Sequence, residues 1–201
     1  MSGRPPHISD DRILIAARDV FLSEGMATTT AKIAERAGVS EGFLFYRYKT
    51  KEALLLAVIE RETRVAPELA ALPSRAGSGT VAGNLDTAVR ALVRNLVTGR
   101  PFILLAESFF PPALLREHLF ASRKEIPPER DMRLIAEYLE AEARAGRVRP
   151  VRMDLVARAI FGACIVTERA ELAARDTGPQ DIVRDLVDIL LLGISAPEIR
   201  E

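Results

Sequence analysis

A chain of 201 residues is long enough to bury a core of its own, so neither disulfides nor a structural metal is needed to hold it together. A single cysteine, Cys164, excludes an internal disulfide, and two histidines far apart in sequence, His7 and His118, leave no metal cluster in view; no metal and no cofactor is expected. Lys plus Arg equals Asp plus Glu at 28 each, which argues against a wholly basic nucleic-acid protein, and the start "MSGRPPHISDDRIL" lacks a secretory pattern while no segment offers the roughly 18 charge-free apolar residues of a membrane span, so a cytoplasmic protein is expected.

Ala, Leu, Arg and Glu dominate and alternating β-branched runs are missing, which points to an all-α fold. The first helix opens at Ser9 as N-cap, with Asp10 and Asp11 in its positive first turn and Ile8 placed to staple against Ile13. Ile13, Ala16, Ala17, Val20 and Phe21 form its buried stripe, and Gly25 ends it. "TTTAKIAERAG" gives a second helix with Thr29 as N-cap, Ile33, Ala34 and Ala37 inward, and Gly38 as a left-handed exit. Ser40 caps a third helix at once, running to Tyr48, with Val39 and Leu44 at the staple positions and with Leu44, Phe45 and Tyr48 expected to face inward. A connection this tight makes two short helices cross steeply, which is the helix-turn-helix arrangement. Thr50 caps a fourth helix, "KEALLLAVIERETRV", with Ala53, Leu54, Ala57 and Val58 as its inward stripe and Leu55, Leu56 and Ile59 widening it; Pro67 marks its end or a kink.

"PELAALPSRAGSG" reads as a linker between an N-terminal helix-turn-helix domain, residues 1–66, and a helical-bundle domain for ligand binding and dimerisation, residues 67–201. In the second domain a helix is expected from about Thr80 to Thr98, another from Pro101 to Phe110 broken at Pro111 and Pro112, a short piece through Phe120, a stronger helix after Pro127 and Pro128 that stops at Gly146, a long one from about Val151 to Arg175, and a last one between Pro179 and Gly193. Leu155, Val156, Ala159, Ile160, Ala163 and Val166 in one of the last two, and Ile182, Val183, Leu186, Val187, Ile189, Leu190 and Leu191 in the other, wrap past a single stripe. They are either central core helices or carry a second face that packs on an identical subunit.

A helix-turn-helix puts its second helix in the major groove of DNA. Here its outward residues are Glu41, Gly42, Phe43, Tyr46 and Arg47: Gly42 lets the backbone approach, Glu41 suits a cytosine amino group, and Phe43 suits a thymine methyl, although a single such ring is more often core. Tyr46, Arg47, Lys49 and Lys51 suit phosphate oxygens, as do the amides near Thr29, and Lys32 at N3 is unfavourable against the helix dipole unless an anion lies nearby.

The run "ILIAARDVFLSEGMATTTAKIAERAGVSEGFLFYRYKTKEALLLAVI" resembles the DNA-binding domain of the TetR/AcrR family of bacterial transcriptional regulators, over about Ile13 to Ile59. The resemblance implies a homodimer reading a palindromic operator in double-stranded DNA, most naturally as a repressor, with a C-terminal body that binds a small-molecule effector. It places Thr29, Arg47 and Lys51 at phosphates, Ser40, Glu41, Gly42 and Phe43 near bases and Tyr46 at a variable contact. It also implies a four-helix dimer interface from the last two helices, with Leu155, Ala159, Ala163, Val166, Ile182, Leu186, Ile189 and Leu190 as its candidates. Two departures stand out: Phe43 occupies a position where a small threonine is common, and Arg47 one where tyrosine is common.

The body resembles no particular subfamily. Phe102, Leu105, Phe109, Phe110, Met132, Ile135, Leu139 and Phe161 are candidate effector-lining residues, each equally suited to ordinary core, and Arg100, Glu107, Arg116, His118 and Cys164 are the polar or reactive candidates. An apolar or amphipathic effector fits this set better than a sugar or a phosphate ester. An enzyme is the first rival reading and lacks any recognisable catalytic arrangement, so no catalytic residue is expected; the second is an interaction protein whose helix-turn-helix has lost DNA binding.

Overall fold

The fold rests on a computed structural model that describes residues 9–113, 115, 117, 127–173, 185, 187–189, 191 and 193, without the side chains of 169–173. The described residues form an all-α fold, and the chain divides into two compact units, residues 1–63 with 99–123, and residues 64–98 with 124–201.

The first unit is built from α1 (Asp10–Glu24), α2 (Thr30–Ala37), α3 (Glu41–Tyr48) and α4 (Lys51–Glu62). Helix α1 packs on both α2 and α4, and α2 packs on α3. The expected α1 stripe is buried, joined by Leu14, and it meets Ile33, Ala34 and Ala37 of α2 and Leu44 of α3. Ser9 occupies the N-cap position without a side-chain cap bond; Ile8 lies outside the described residues. In α4 the buried residues are Leu54, Leu55, Val58 and Ile59. The stripe is therefore turned from the expected one toward the larger side chains, leaving Ala53 and Ala57 half-buried, because Leu and Ile gain more than Ala from leaving water.

A long helix, α6 (Val81–Glu107), continues through Pro101, which sits inside it. The expected break between Thr98 and Pro101 does not occur: a proline removes one amide donor, and here the buried Phe102 and Ala106 that follow hold the turn in the first core. Gly99 allows this turn close approach, since a Cβ there would lie 3.2 Å from Thr63 Cγ2.

The second unit contains α5 (Pro67–Ala70), a 3-10 turn (Leu72–Arg75), the first part of α6, α7 (Pro127–Arg144) and α8 (Met153–Ala173). Helix α7 packs on α8, on α5 and on the 3-10 turn. The segment expected to be a linker is thus folded: Pro67 starts α5 at its first turn, where its missing amide costs nothing, and Leu69 and Leu72 are fully buried with Ile135, Tyr138, Leu139, Ala157 and Cys164. A buried polar network pins the glycine-rich stretch that follows. Asn84 Nδ2 donates to Ser78 O (2.8 Å) and Tyr138 Oη (3.2 Å), Gly77 N donates to Glu142 Oε1 (3.3 Å), and Arg147 pairs with Glu142 (3.4 Å) while donating to Gly79 O (2.6 Å). Gly146 stops the turn after α7 at φ 72, as the sequence suggests. Residues 118–126, 174–184, 186 and 190 lie outside the described residues, and with them His118, Phe120, Arg175, Ile182, Leu186 and Leu190, as does Arg116.

Candidate nucleic-acid interface

Three short polar side chains set the frame of the helix-turn-helix, each as the sequence suggests. Thr29 Oγ1 accepts from Lys32 N (3.3 Å), Ser40 Oγ from Phe43 N (3.1 Å) and Thr50 Oγ1 from Ala53 N (3.0 Å), so each helix start has one orphan amide satisfied. Between α2 and α3, Gly38 takes φ 68, ψ 37, and Val39 N donates back to Ala34 O (3.0 Å). A Cβ at Gly38 would also lie 2.7 Å from Arg12 Nη2. Helix α3 leaves through Lys49 at φ 61, a left-handed value held by a non-glycine residue.

Only Leu44 of α3 is fully buried, and Tyr48 is half-buried beside it. Phe45 is a correction: it stands 62% exposed, because at 100° per residue it lies on the flank of a helix whose inward direction runs between Leu44 and Tyr48. Phe43 is 42% and Tyr46 74% exposed, and a Cβ at Gly42 would meet nothing within 4 Å. The outer face of α3 is thus open and aromatic.

The charged candidates are near this face but are held by the domain itself. Arg47 donates through Nε to Asp10 Oδ1 (2.8 Å) and through Nη2 to Asp10 Oδ2, tying the end of α3 to the start of α1, and Asp10 holds its guanidinium pKa above the ordinary value. Both side chains are about half exposed, so solvent screens the pair and a phosphate can compete for it. Lys51 Nζ donates to Met26 O (2.6 Å) and Thr28 O (2.9 Å), clamping the 3-10 turn (Gly25–Ala27) and the residue before the Thr29 cap; one of its three donors is left. Glu41 Oε1 accepts from Thr30 Oγ1 (2.6 Å). Lys32 pairs with Glu24, which holds that carboxyl below the usual range, and Lys49 Nζ lies 4.8 Å from the Tyr46 ring centre. Sequence reasoning missed Asp10, Glu24 and Thr30 as partners. In sequence Asp10 reads only as a dipole complement, and its contact with Arg47 spans 37 positions, where local pattern carries no signal.

The effector-lining candidates divide between the two units. Phe102 is buried in the first core with Leu105 and Phe110 packed against it, and Phe109 is 55% exposed. Ile135, Leu139 and Cys164 are fully buried in the second core, with Met132 and Phe161 at its edge. Packing accounts for Phe102, Ile135, Leu139 and Cys164, and the Cys164 thiol is pushed up to about 12 by burial, which leaves it protonated and unreactive. Arg100 is half-buried and Glu107 exposed. A groove of about 320 Å³ opens elsewhere in the second unit, lined by Thr80, Gly83, Asp86, Arg90, Val187 and Asp188. On α8, Leu155, Ala159 and Val166 are exposed and Ala163 half-buried, and Ile189 is also exposed. Among the described residues no group of His, Cys, Asp and Glu is arranged to hold a metal, and no helix is long and apolar enough to cross a membrane.

Residues 13–58 match the family model described as "Bacterial regulatory proteins, tetR family". The helix-turn-helix-type transcriptional regulator QacR of Staphylococcus aureus is 42% identical over 53 residues, a match that covers 26% of this chain and 28% of QacR. A TetR-family transcriptional regulator from Mesorhizobium loti has the same fold at TM-score 0.73 and 19% identity, over 92% of this chain and 96% of that one. The regulator FadR of Bacillus subtilis, solved in complex with stearoyl-CoA, shares the fold at TM-score 0.68 and 16% identity, over 92% and 99% of the two chains.

Proposed function

We propose that this chain, a member of the TetR/AcrR family of helix-turn-helix transcriptional regulators, acts as a homodimeric repressor that binds a palindromic operator through α3 and is released by a small apolar or amphipathic effector. The observation that carries the reading is the outer face of α3: a capped helix after a tight glycine turn, open at Gly42, with Phe43 and Tyr46 directed away from the core. Residues Ser40 to Phe43 face the base edges, and Tyr46 a variable contact. Thr29 and its neighbouring amides, Lys32, Arg47, Lys49 and Lys51 serve phosphates, Arg47 by exchanging Asp10 and Lys51 through its remaining donor.

Dimerisation is assigned to the apolar face of α8 with the last helix expected from the sequence, and effector binding to the domain spanning 67–201. The stearoyl-CoA carried by the FadR structure supports an amphipathic ligand class, since the two chains share a fold. Selection of bound duplexes from a random pool tests the reading. Enrichment of a two-fold symmetric site, followed by its release by a long-chain acyl thioester or another amphipathic compound, is the expected outcome; a pool that emerges unenriched contradicts it.

A further inference from the structure

We infer that α3 reads its half-site chiefly through the C5-methyl groups of thymine rather than through guanine. This rests on the DNA-binding reading above and names the class of sequence that is bound.

Helix α3 has eight residues, and four of them are Phe43, Phe45, Tyr46 and Tyr48. Tyr48 turns inward, and the other three rings are exposed. At 100° per residue, position 42 lies between Phe45 and Tyr46 around the helix, with Phe43 beyond Tyr46. Since Gly42 carries no side chain and its surroundings are open, Phe45 and Tyr46 flank a gap through which a base edge can reach them, with Phe43 next to Tyr46.

A ring gains nothing from the O6 and N7 acceptors of guanine, but it gains apolar contact from a thymine methyl, the one such group that the four standard bases show in the major groove. The cations that could bind guanine are turned to other partners and, in the reading above, meet phosphates instead. Both arms of Arg47 are on Asp10, Lys51 holds two carbonyls, and Lys49 lies over the Tyr46 ring. Glu41, the natural partner of a cytosine amino group, is oriented by the Thr30 hydroxyl. Beside Ser40, Glu41 and the Tyr46 hydroxyl, the surface left for the bases is the three exposed rings.

The probe is the duplex selected by the wild-type protein, with its thymines replaced singly by deoxyuridine, which removes the methyl and keeps the pairing. Each thymine facing a ring is expected to lose about three- to fourfold in affinity, the weight of one buried methyl group. In Phe43→Ala the thymine-to-deoxyuridine ratio at the position read by Phe43 falls to one, while a cooperative melting curve, measured by circular dichroism, shows that the domain still folds. A selected site with guanine-dominated half-sites, or one indifferent to deoxyuridine throughout, overturns the inference and leaves DNA binding standing. A wild-type protein that selects no duplex sinks the DNA-binding reading itself.

Discussion

A methyl group added at Gly42 meets no protein atom within 4 Å, and the position lies inside α3. Replacing glycine by alanine in the middle of a helix stabilises by roughly 0.5–1 kcal/mol, and by less in the first turn, where Gly42 lies. Gly42→Ala is therefore expected to raise the melting temperature and yet weaken duplex binding, because the added methyl occupies space that the DNA needs. Gains in both quantities, read by thermal melting and fluorescence anisotropy, contradict a close approach of α3 to the duplex. A second residue-scale expectation concerns Tyr138 and Cys164, both pushed up to about 12 by burial from ordinary values of 10.0 and 9.0. Their folded values lie above the unfolded ones, so the stability they protect is complete below about pH 9 and is lost as pH rises toward about 12. Urea midpoints of the wild type should fall across that window, and those of Tyr138→Phe with Cys164→Ala should fall less; parallel curves contradict the assignment. At this scale the caps Thr29, Ser40 and Thr50 and the turn at Gly38 were legible, since each is a local bond with its own sequence signature. The partners of Arg47, Lys51 and Glu41 were not, because each bond joins positions 11 to 37 residues apart.

At the scale of elements, composition misled in one place. The stretch from Pro67 to Gly79 has the Pro, Gly and Ser content of a linker, but burial of Leu69 and Leu72 decides its structure. Two leucines three positions apart carry little periodic signal, and the bonds that pin the glycine-rich stretch come from Asn84 in α6, Glu142 in α7 and Arg147 in the turn after α7. Leu72→Ala should cost about 2–5 kcal/mol in chemical denaturation, the range for a buried leucine; a cost within about 0.5 kcal/mol, as for a surface linker position, contradicts its place in the core. Pro101 is the complementary case. Its ring argues locally for a helix break, and tertiary packing of Phe102 and Ala106 carries α6 through it. The ends of α1 and α2 and the starts of α2 and α3, by contrast, follow from glycines and caps alone.

At the scale of the whole molecule, the apolar face of α8 is the feature to which the proposed dimer is tied. Val166 is 68% exposed there, so Val166→Asp leaves the subunit's own core untouched. It is expected to give a folded monomer in sedimentation velocity, with operator affinity reduced because the two α3 helices are no longer linked; an unchanged dimer moves the interface elsewhere. The sequence carried the all-α class and the two-fold expectation through the apolar excess of its last two helices, whereas the operator and effector depend on surfaces that local pattern does not encode. The most direct measurement places a benzophenone cross-linker at Tyr46 on α3 and, separately, at Leu22, which is 54% exposed on α1. With the duplex selected by the wild-type protein, irradiation should join DNA to position 46 and leave position 22 unlinked. Cross-links from position 22 alone, or equal yields from both, would contradict the claim that the outer face of α3 is what meets the operator.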